Sequence, residues 1–278
     1  MAKPISSELI LRVYSSLILI ALTLALTYAG SQTFAALIVF AAALMSWEWG
    51  RVVRGHGVDR IFALQTAAIA MAGYLTLRKY NALAILVIMV ATWIAFRTHK
   101  KAHFSSDAWW SAAGVYYAGF PAIALIAIRQ DPAYGLQAIL FLFLIVWSAD
   151  TGAFFAGRLL GGPKLAPAIS PNKTWSGLFG GALAAGAAGS VFAVWLGHTS
   201  ILVLGCLGLL LALVSQGGDL GESFIKRFFG VKQTSGLIPG HGGVLDRLDG
   251  LVFAAIGAGL IAIITDPSEP GRALLIWS

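Results

Sequence analysis

The chain has 278 residues, of which 58% are hydrophobic and 11% charged, and its mean hydropathy is +0.82. A water-soluble domain carries roughly 25% charged residues, so soluble enzymes, secreted disulfide scaffolds and disordered chains are excluded and an integral membrane protein is expected. The formal net charge of +7 would suggest nucleic acid in a soluble protein, but in a membrane chain basic residues first report topology, and no nucleic acid partner is expected.

A helix needs roughly 20 mostly apolar residues to cross about 30 Å of hydrocarbon. Shorter runs serve where protein or interface anchors flank them, which gives nine candidates: 9–29, 33–47, 61–77, 82–96, 112–128, 136–156, 178–196, 201–215 and 251–265, of which the second, fourth and eighth are short. The fold class expected is therefore all-α and polytopic. With the N-terminus in the cytoplasm, the loops on that side hold Lys3, Arg51, Arg54, Arg60, Arg97, Lys100, Lys101, Arg158, Lys164, Lys173, Lys226, Arg227, Lys232 and Arg247. The opposite side holds Arg78, Lys79, Arg129 and Arg272. Fourteen basic residues against four place the N-terminus inside and the C-terminus outside. The first span is read as retained, because it is longer than a signal-peptide core and further spans follow at once. No repeat or linker divides the chain, so residues 1–278 are read as one membrane domain, with N-terminal spans over 1–135 and the polar segments within 136–265. The single Cys206 excludes an intrachain disulfide.

Charged groups in a bilayer cost at least about 2.5–3.5 kcal/mol each at its centre, so the places where they gather are informative. Along the chain, Arg97, His99, Lys100, Lys101 and His103 read as an interfacial patch for anionic headgroups. Asp150 then closes a long apolar run, where an acid is a functional candidate or the partner of Arg158. Ser170-Pro171-Asn172-Lys173-Thr174 is a polar turn entering a helix, with Lys173 able to meet an anion. Gly217-Gly218-Asp219 reads as the start of a new helix that places Asp219, Glu222, Ser223 and Lys226 on one face. Pro239-Gly240-His241-Gly242-Gly243 cannot be regular helix, and its backbone N–H groups suit a phosphate. Asp246 and Asp249 lie at i and i+3 where the last span opens. Asp219, Asp246 and Asp249, with Asp150 as a further candidate, form an oxygen-donor set suited to Mg²⁺. Glu222 is read as the partner of Lys226 or Arg227.

The stretch from Ser223-Phe224-Ile225-Lys226-Arg227 through Lys232 to Leu237-Ile-Pro-Gly-His241-Gly242-Gly243-Val-Leu-Asp246-Arg247-Leu-Asp249 resembles the C-terminal signature of the phosphatidate cytidylyltransferases. The 170–175 turn and the Gly218-Asp219-Leu220 entry resemble family elements in their expected order. Gln233 stands where the family usually has an acid, Asn172 where a second lysine is common, and Ser176 where an acid is common. The resemblance implies transfer of a cytidylyl group from CTP to phosphatidate at a polar site on the cytoplasmic face, with Mg²⁺ or another divalent cation. It implies a nucleotidyltransferase of phospholipid biosynthesis in the inner membrane, if the source is bacterial, and a homo-oligomer is compatible with it. Asp219, Asp246, Asp249, Lys226 and Arg247 are then the expected catalytic set. Lys173, Arg227, Lys232, Ser223, His241, Gly242 and Gly243 are expected to bind substrate. The rival readings are a CTP-dependent lipid or polyprenol kinase and a transporter with a polar site at its cytoplasmic side.

Overall fold

The computed structural model describes residues 7–99 and 105–277. Lys3, Lys100, Lys101 and His103 of the expected basic loops lie outside them. Nine described helices are long and apolar enough to cross a membrane. They are α1 (Ser7–Ala29), α2 (Ser31–Arg54), α3 (Arg60–Leu77), α4 (Asn81–His99), α5 (Ser105–Arg129), α6 (Gly135–Leu159), α7 (Trp175–Leu196), α8 (Ile201–Phe228) and α9 (Leu245–Thr265). A short α10 (Pro270–Leu275) follows, and a hairpin of β1 (Lys164–Ala166) and β2 (Ser170–Thr174) joins α6 to α7. The protein is an integral membrane protein.

The differences from the sequence expectation have physical causes. Helix α2 runs past Trp47 to Arg54 and ends where Gly55 turns left-handed at φ 77°. Polar residues lower hydropathy without breaking backbone hydrogen bonds, so the helix outlasts the apolar run. The glycine pair at 217–218 does not start a new helix; α8 continues through it to Phe228, since a helical glycine costs only about 1 kcal/mol. The 170–174 segment is a strand rather than a turn, with Lys164 opposite Thr174 and Ala166 opposite Ser170. Thr174 then caps α7, accepting a hydrogen bond from Gly177 N–H at 3.1 Å.

The chain divides into two compact units. The first comprises residues up to Ile126 together with Phe229–Leu248. Its core is built of small and branched residues from α2 to α5, among them Ala42, Ile69, Ala72, Ile88, Ala91, Val115 and Ala118. Trp49 donates its indole N–H to Trp110 O at 2.8 Å. Asp59 caps α3 through Phe62 N–H at 2.7 Å and pairs with Arg54 Nε at 2.7 Å. Partial burial pushes that carboxyl up, but the Phe62 N–H and the Arg54 guanidinium outweigh it and hold the group below the ordinary carboxylate value.

The second unit comprises Ala127–Phe228 and Asp249–Ser278. Helices α6, α7 and α8 meet through small residues, which let membrane helices approach closely. A Cβ on Gly152 would lie 2.5 Å from Ala184 Cβ, one on Gly181 2.6 Å from Ala149 O, and one on Gly208 2.7 Å from Ala185 O. At the opposite end from the hairpin, Asp131 is buried and accepts from Ala133, Tyr134 and Arg272 N–H at 3.0, 2.9 and 2.8 Å, which ties α10 to the start of α6.

Candidate active site

In the second unit the charged groups gather at the last turns of α8. Lys173 Nζ, carried by β2, lies 2.6 Å from Asp219 Oδ2, with both side chains partly buried. Ser223 Oγ, one turn on, is 3.5 Å from Asp219 Oδ1. Lys226 Nζ meets Glu222 at 2.5 Å, and the Glu222 side chain is only 1% exposed. The expected pairing is present, but it is a buried pair rather than a solvated one. Arg227 is exposed and donates from Nε to Ile169 O at 3.3 Å. Asp249, on α9, accepts from Gly250 N–H at 2.8 Å and interacts electrostatically with Asp219, Asp150 and Lys226.

This crowding of like charge bears on a cation. Asp219 and Asp150 repel the Asp249 carboxylate while Lys226 attracts it, and Lys173 already holds one Asp219 oxygen. Hard carboxylate oxygens that repel one another suit a divalent cation. Among the described residues, no three His, Cys, Asp or Glu side chains converge as a ready-made cage. The donor chemistry therefore fits a metal bound jointly by one or two carboxylates and substrate phosphate, as is usual for Mg²⁺.

In the first unit the segment after α8 folds back into a tight turn. Ile238 N–H donates to Gly242 O at 2.8 Å, and Ile238 O accepts from His241 and Gly242 N–H at 2.9 and 3.2 Å. Gly240 and Gly242 take φ of 76° and 91°, which an L side chain rarely adopts. The N–H groups expected to be open to phosphate are thus engaged within the turn, and Gly243 N–H goes to Asp246 Oδ2 at 2.9 Å. The same Asp246 oxygen accepts from Thr234 N–H and Thr234 Oγ1, each at 3.1 Å. His241 lies between two serines of α1, Ser15 Oγ at 3.0 Å from Nδ1 and Ser16 Oγ at 3.0 Å from Nε2. Arg247 is exposed and donates from Nε to His241 O at 3.2 Å, while Lys232 and Gln233 are exposed.

Within the second unit the structure therefore groups Lys173, Asp219, Ser223, Lys226, Asp249 and Asp150. Within the first it groups His241, Gly242, Gly243, Asp246 and Arg247. Helix α9 carries Asp246 and Asp249 one turn apart. The residues that sequence reasoning missed are Ser15, Ser16, Thr234, Ser235 and Glu48. Glu48 could have been found, since an acid between two tryptophans at the end of an apolar run is a functional candidate by default.

Residues 10–264 match the cytidylyltransferase family. The chain belongs to the cytidylyltransferase family. It is 42% identical to a phosphatidate cytidylyltransferase of Brucella suis over 267 residues, covering 95% of this chain and 97% of that one. It is 32% identical to a phosphatidate cytidylyltransferase of Haemophilus influenzae, over 87% of this chain and 94% of the relative. A third, from Staphylococcus epidermidis, is 41% identical over 60% of this chain and 64% of its own length. As a cytidylyltransferase family member it is a nucleotidyltransferase, and the membrane spans belong to the matched region.

Proposed function

We propose that the protein transfers a cytidylyl group from CTP to phosphatidate, forming CDP-diacylglycerol and pyrophosphate. The observation that carries this reading is end-to-end similarity to relatives of that name, 42% over 95% of the chain. The carboxylate and lysine cluster around Asp219 supports it. A phosphate oxygen of the lipid forms a bond to the α-phosphorus of CTP. The bond from that phosphorus to the oxygen bridging to the β-phosphate breaks, and pyrophosphate leaves with the electron pair. Phosphatidate is already largely ionised near neutral pH, so positioning and charge neutralisation carry most of the catalysis.

Asp219 and Asp249 are the proposed holders of the divalent cation, Mg²⁺ by preference, with Asp246 and Asp150 as further donors. Bound there, such an ion neutralises phosphate charge and orients the leaving group. Lys226 and Arg247 offset charge that develops on the phosphates. Lys173, Arg227, Lys232 and Ser223 are proposed to bind substrate directly, and His241, Gly242 and Gly243 to shape the binding surface through the turn in which their own N–H groups are engaged. The ring nitrogens of His241 meet Ser15 and Ser16, so a hydrogen bond to a phosphate oxygen would exchange one of those serines for substrate. The site is proposed to face the cytoplasm, the N-terminus lying on the same side in the inner membrane of a bacterium. There phosphatidate arrives laterally from the bilayer and CTP from water.

The purified protein, given phosphatidate, Mg²⁺ and CTP labelled at the α-phosphate, is expected to move label into the lipid phase and release pyrophosphate. Label entering lipid from the γ-phosphate instead, with CDP released, would establish a kinase and overturn the reading.

A further inference from the structure

Glu48 is a fully buried acid on α2 with no part in the chemistry described so far. Each of its carboxylate oxygens accepts one hydroxyl and one backbone N–H. Oε1 takes Ser235 Oγ at 2.5 Å and Val244 N–H at 2.9 Å. Oε2 takes Thr234 Oγ1 at 3.1 Å and Leu245 N–H at 2.7 Å. An ionised carboxylate offers about four lone-pair sites, and four donors address it here. That distinguishes Glu48 from a metal ligand, whose oxygens must point at the ion.

Two of those donors are the N–H groups of Val244 and Leu245, at the start of α9. The first N–H groups of a helix have no intrahelical acceptor, and a negative charge beside them is favourable. The acceptor normally comes from the residue next to the helix; here α2 delivers it from almost two hundred residues upstream in the chain. The other two donors, Thr234 and Ser235, open the glycine-rich turn. Gly243 makes the seat possible, because a Cβ there would lie 2.6 and 2.7 Å from the two Glu48 oxygens. Thr234 Oγ1 is also 3.1 Å from Asp246 Oδ2, so its single hydroxyl proton is shared between Glu48 and Asp246.

We infer that Glu48 is a positioning residue that seats the 234–245 turn and sets the start of α9, and so fixes where His241, Gly242, Gly243 and Asp246 stand. Its kinetic consequence rests on the cytidylyl-transfer reading; its structural consequence does not. Glu48→Gln replaces one acceptor oxygen with an amide that can only donate, facing a hydroxyl and a backbone N–H. Glu48→Asp keeps both acceptors on a shorter stem.

The test combines hydrogen exchange with steady-state kinetics on the full chain in detergent or nanodiscs. In Glu48→Gln, amides of 234–245 are expected to exchange about tenfold faster while those of α3 and α4 stay as in the wild type. The KM for CTP is expected to rise about tenfold with a fall in kcat, and Glu48→Asp to recover part of both. A mere loss of folded molecules would lower the apparent kcat and leave KM unchanged. Unchanged exchange in 234–245, or a KM equal to the wild type, overturns the inference. Faster exchange throughout α2 to α4 also overturns it, by making Glu48 a general folding residue. If Glu48→Gln does not accumulate, Ser235→Ala removes one donor alone, and a rise in exchange confined to the same segment is the expected result. Wild-type protein with no cytidylyl transfer would refute the proposed function, and the exchange measurement would still decide the role of Glu48.

Discussion

Asp219 lies between a lysine and a serine, with Lys173 Nζ 2.6 Å from one oxygen and Ser223 Oγ 3.5 Å from the other. Asp219→Asn keeps the shape and removes the charge that Lys173 and a divalent cation would share, and Asp249→Asn does the same on α9. Each is expected to slow turnover at least a hundredfold, about 2.7 kcal/mol at the transition state, with normal extraction and folding. Near-normal turnover in both at saturating Mg²⁺ would make these carboxylates structural. Glu222 should behave differently. Its pair with Lys226 is buried, with side-chain exposures of 1% and 16%. Breaking a buried pair from one side costs about 3 kcal/mol or more. Glu222→Gln is therefore expected to lower the detergent melting temperature and yield while the folded fraction keeps most of its turnover. Spacing alone showed that Glu222 and Lys226 share a helix face, but the burial that changes the energetics comes from the neighbouring helices and is invisible in one sequence.

Among the elements, α8 offers an internal comparison. A Cβ on Gly217 meets nothing within 4 Å, whereas one on Gly218 would lie 2.6 Å from the Phe253 ring. Gly217→Ala should stabilise α8 by up to about 1 kcal/mol through helix propensity. Gly218→Ala should destabilise by about 1–3 kcal/mol through overpacking. Melting temperatures that move in the same direction for both would refute this assignment. The nine spans among the described residues are legible from hydropathy because bilayer thickness dictates their length. Their ends are less so. The apolar run closes at Trp47 and leaves Glu48 beyond it, although the helix continues to Arg54 and buries the acid. The glycine pair resembles a helix start in sequence, whereas Asp219 belongs to the same continuous helix as the eighth span. The hairpin was also missed, since three- and five-residue strands are too short for a period-two pattern. The carboxylates of the candidate site were legible because so few acids occur in the chain, whereas Ser15, Ser16, Thr234 and Ser235 carry no signal until the fold brings them to His241 and Glu48.

For the whole molecule, the orientation proposed from basic residues is testable at two loops the structure describes. The hairpin between α6 and α7 contains Lys164 and Lys173 and is expected in the cytoplasm. The connection between α5 and α6 follows Arg129 and is expected outside. Ala168 and Ala133 are exposed in these loops, and neither is among the side chains that cap a helix there. Asp131 is unsuitable for substitution, because it accepts three backbone N–H groups and its loss would unseat α10. Cys206 is exposed on α8 and must first be replaced by serine. In that background, Ala168→Cys is expected to react with a membrane-impermeant maleimide only after the cytoplasmic side is opened. Ala133→Cys should react from outside in intact cells. Each loop carries few charges, so the orientation depends on the summed bias of fourteen against four rather than on one residue. Reversed labelling at both positions would put the Lys173 and Asp219 pair on the outer side, away from nucleotide, and would refute the orientation proposed for the site.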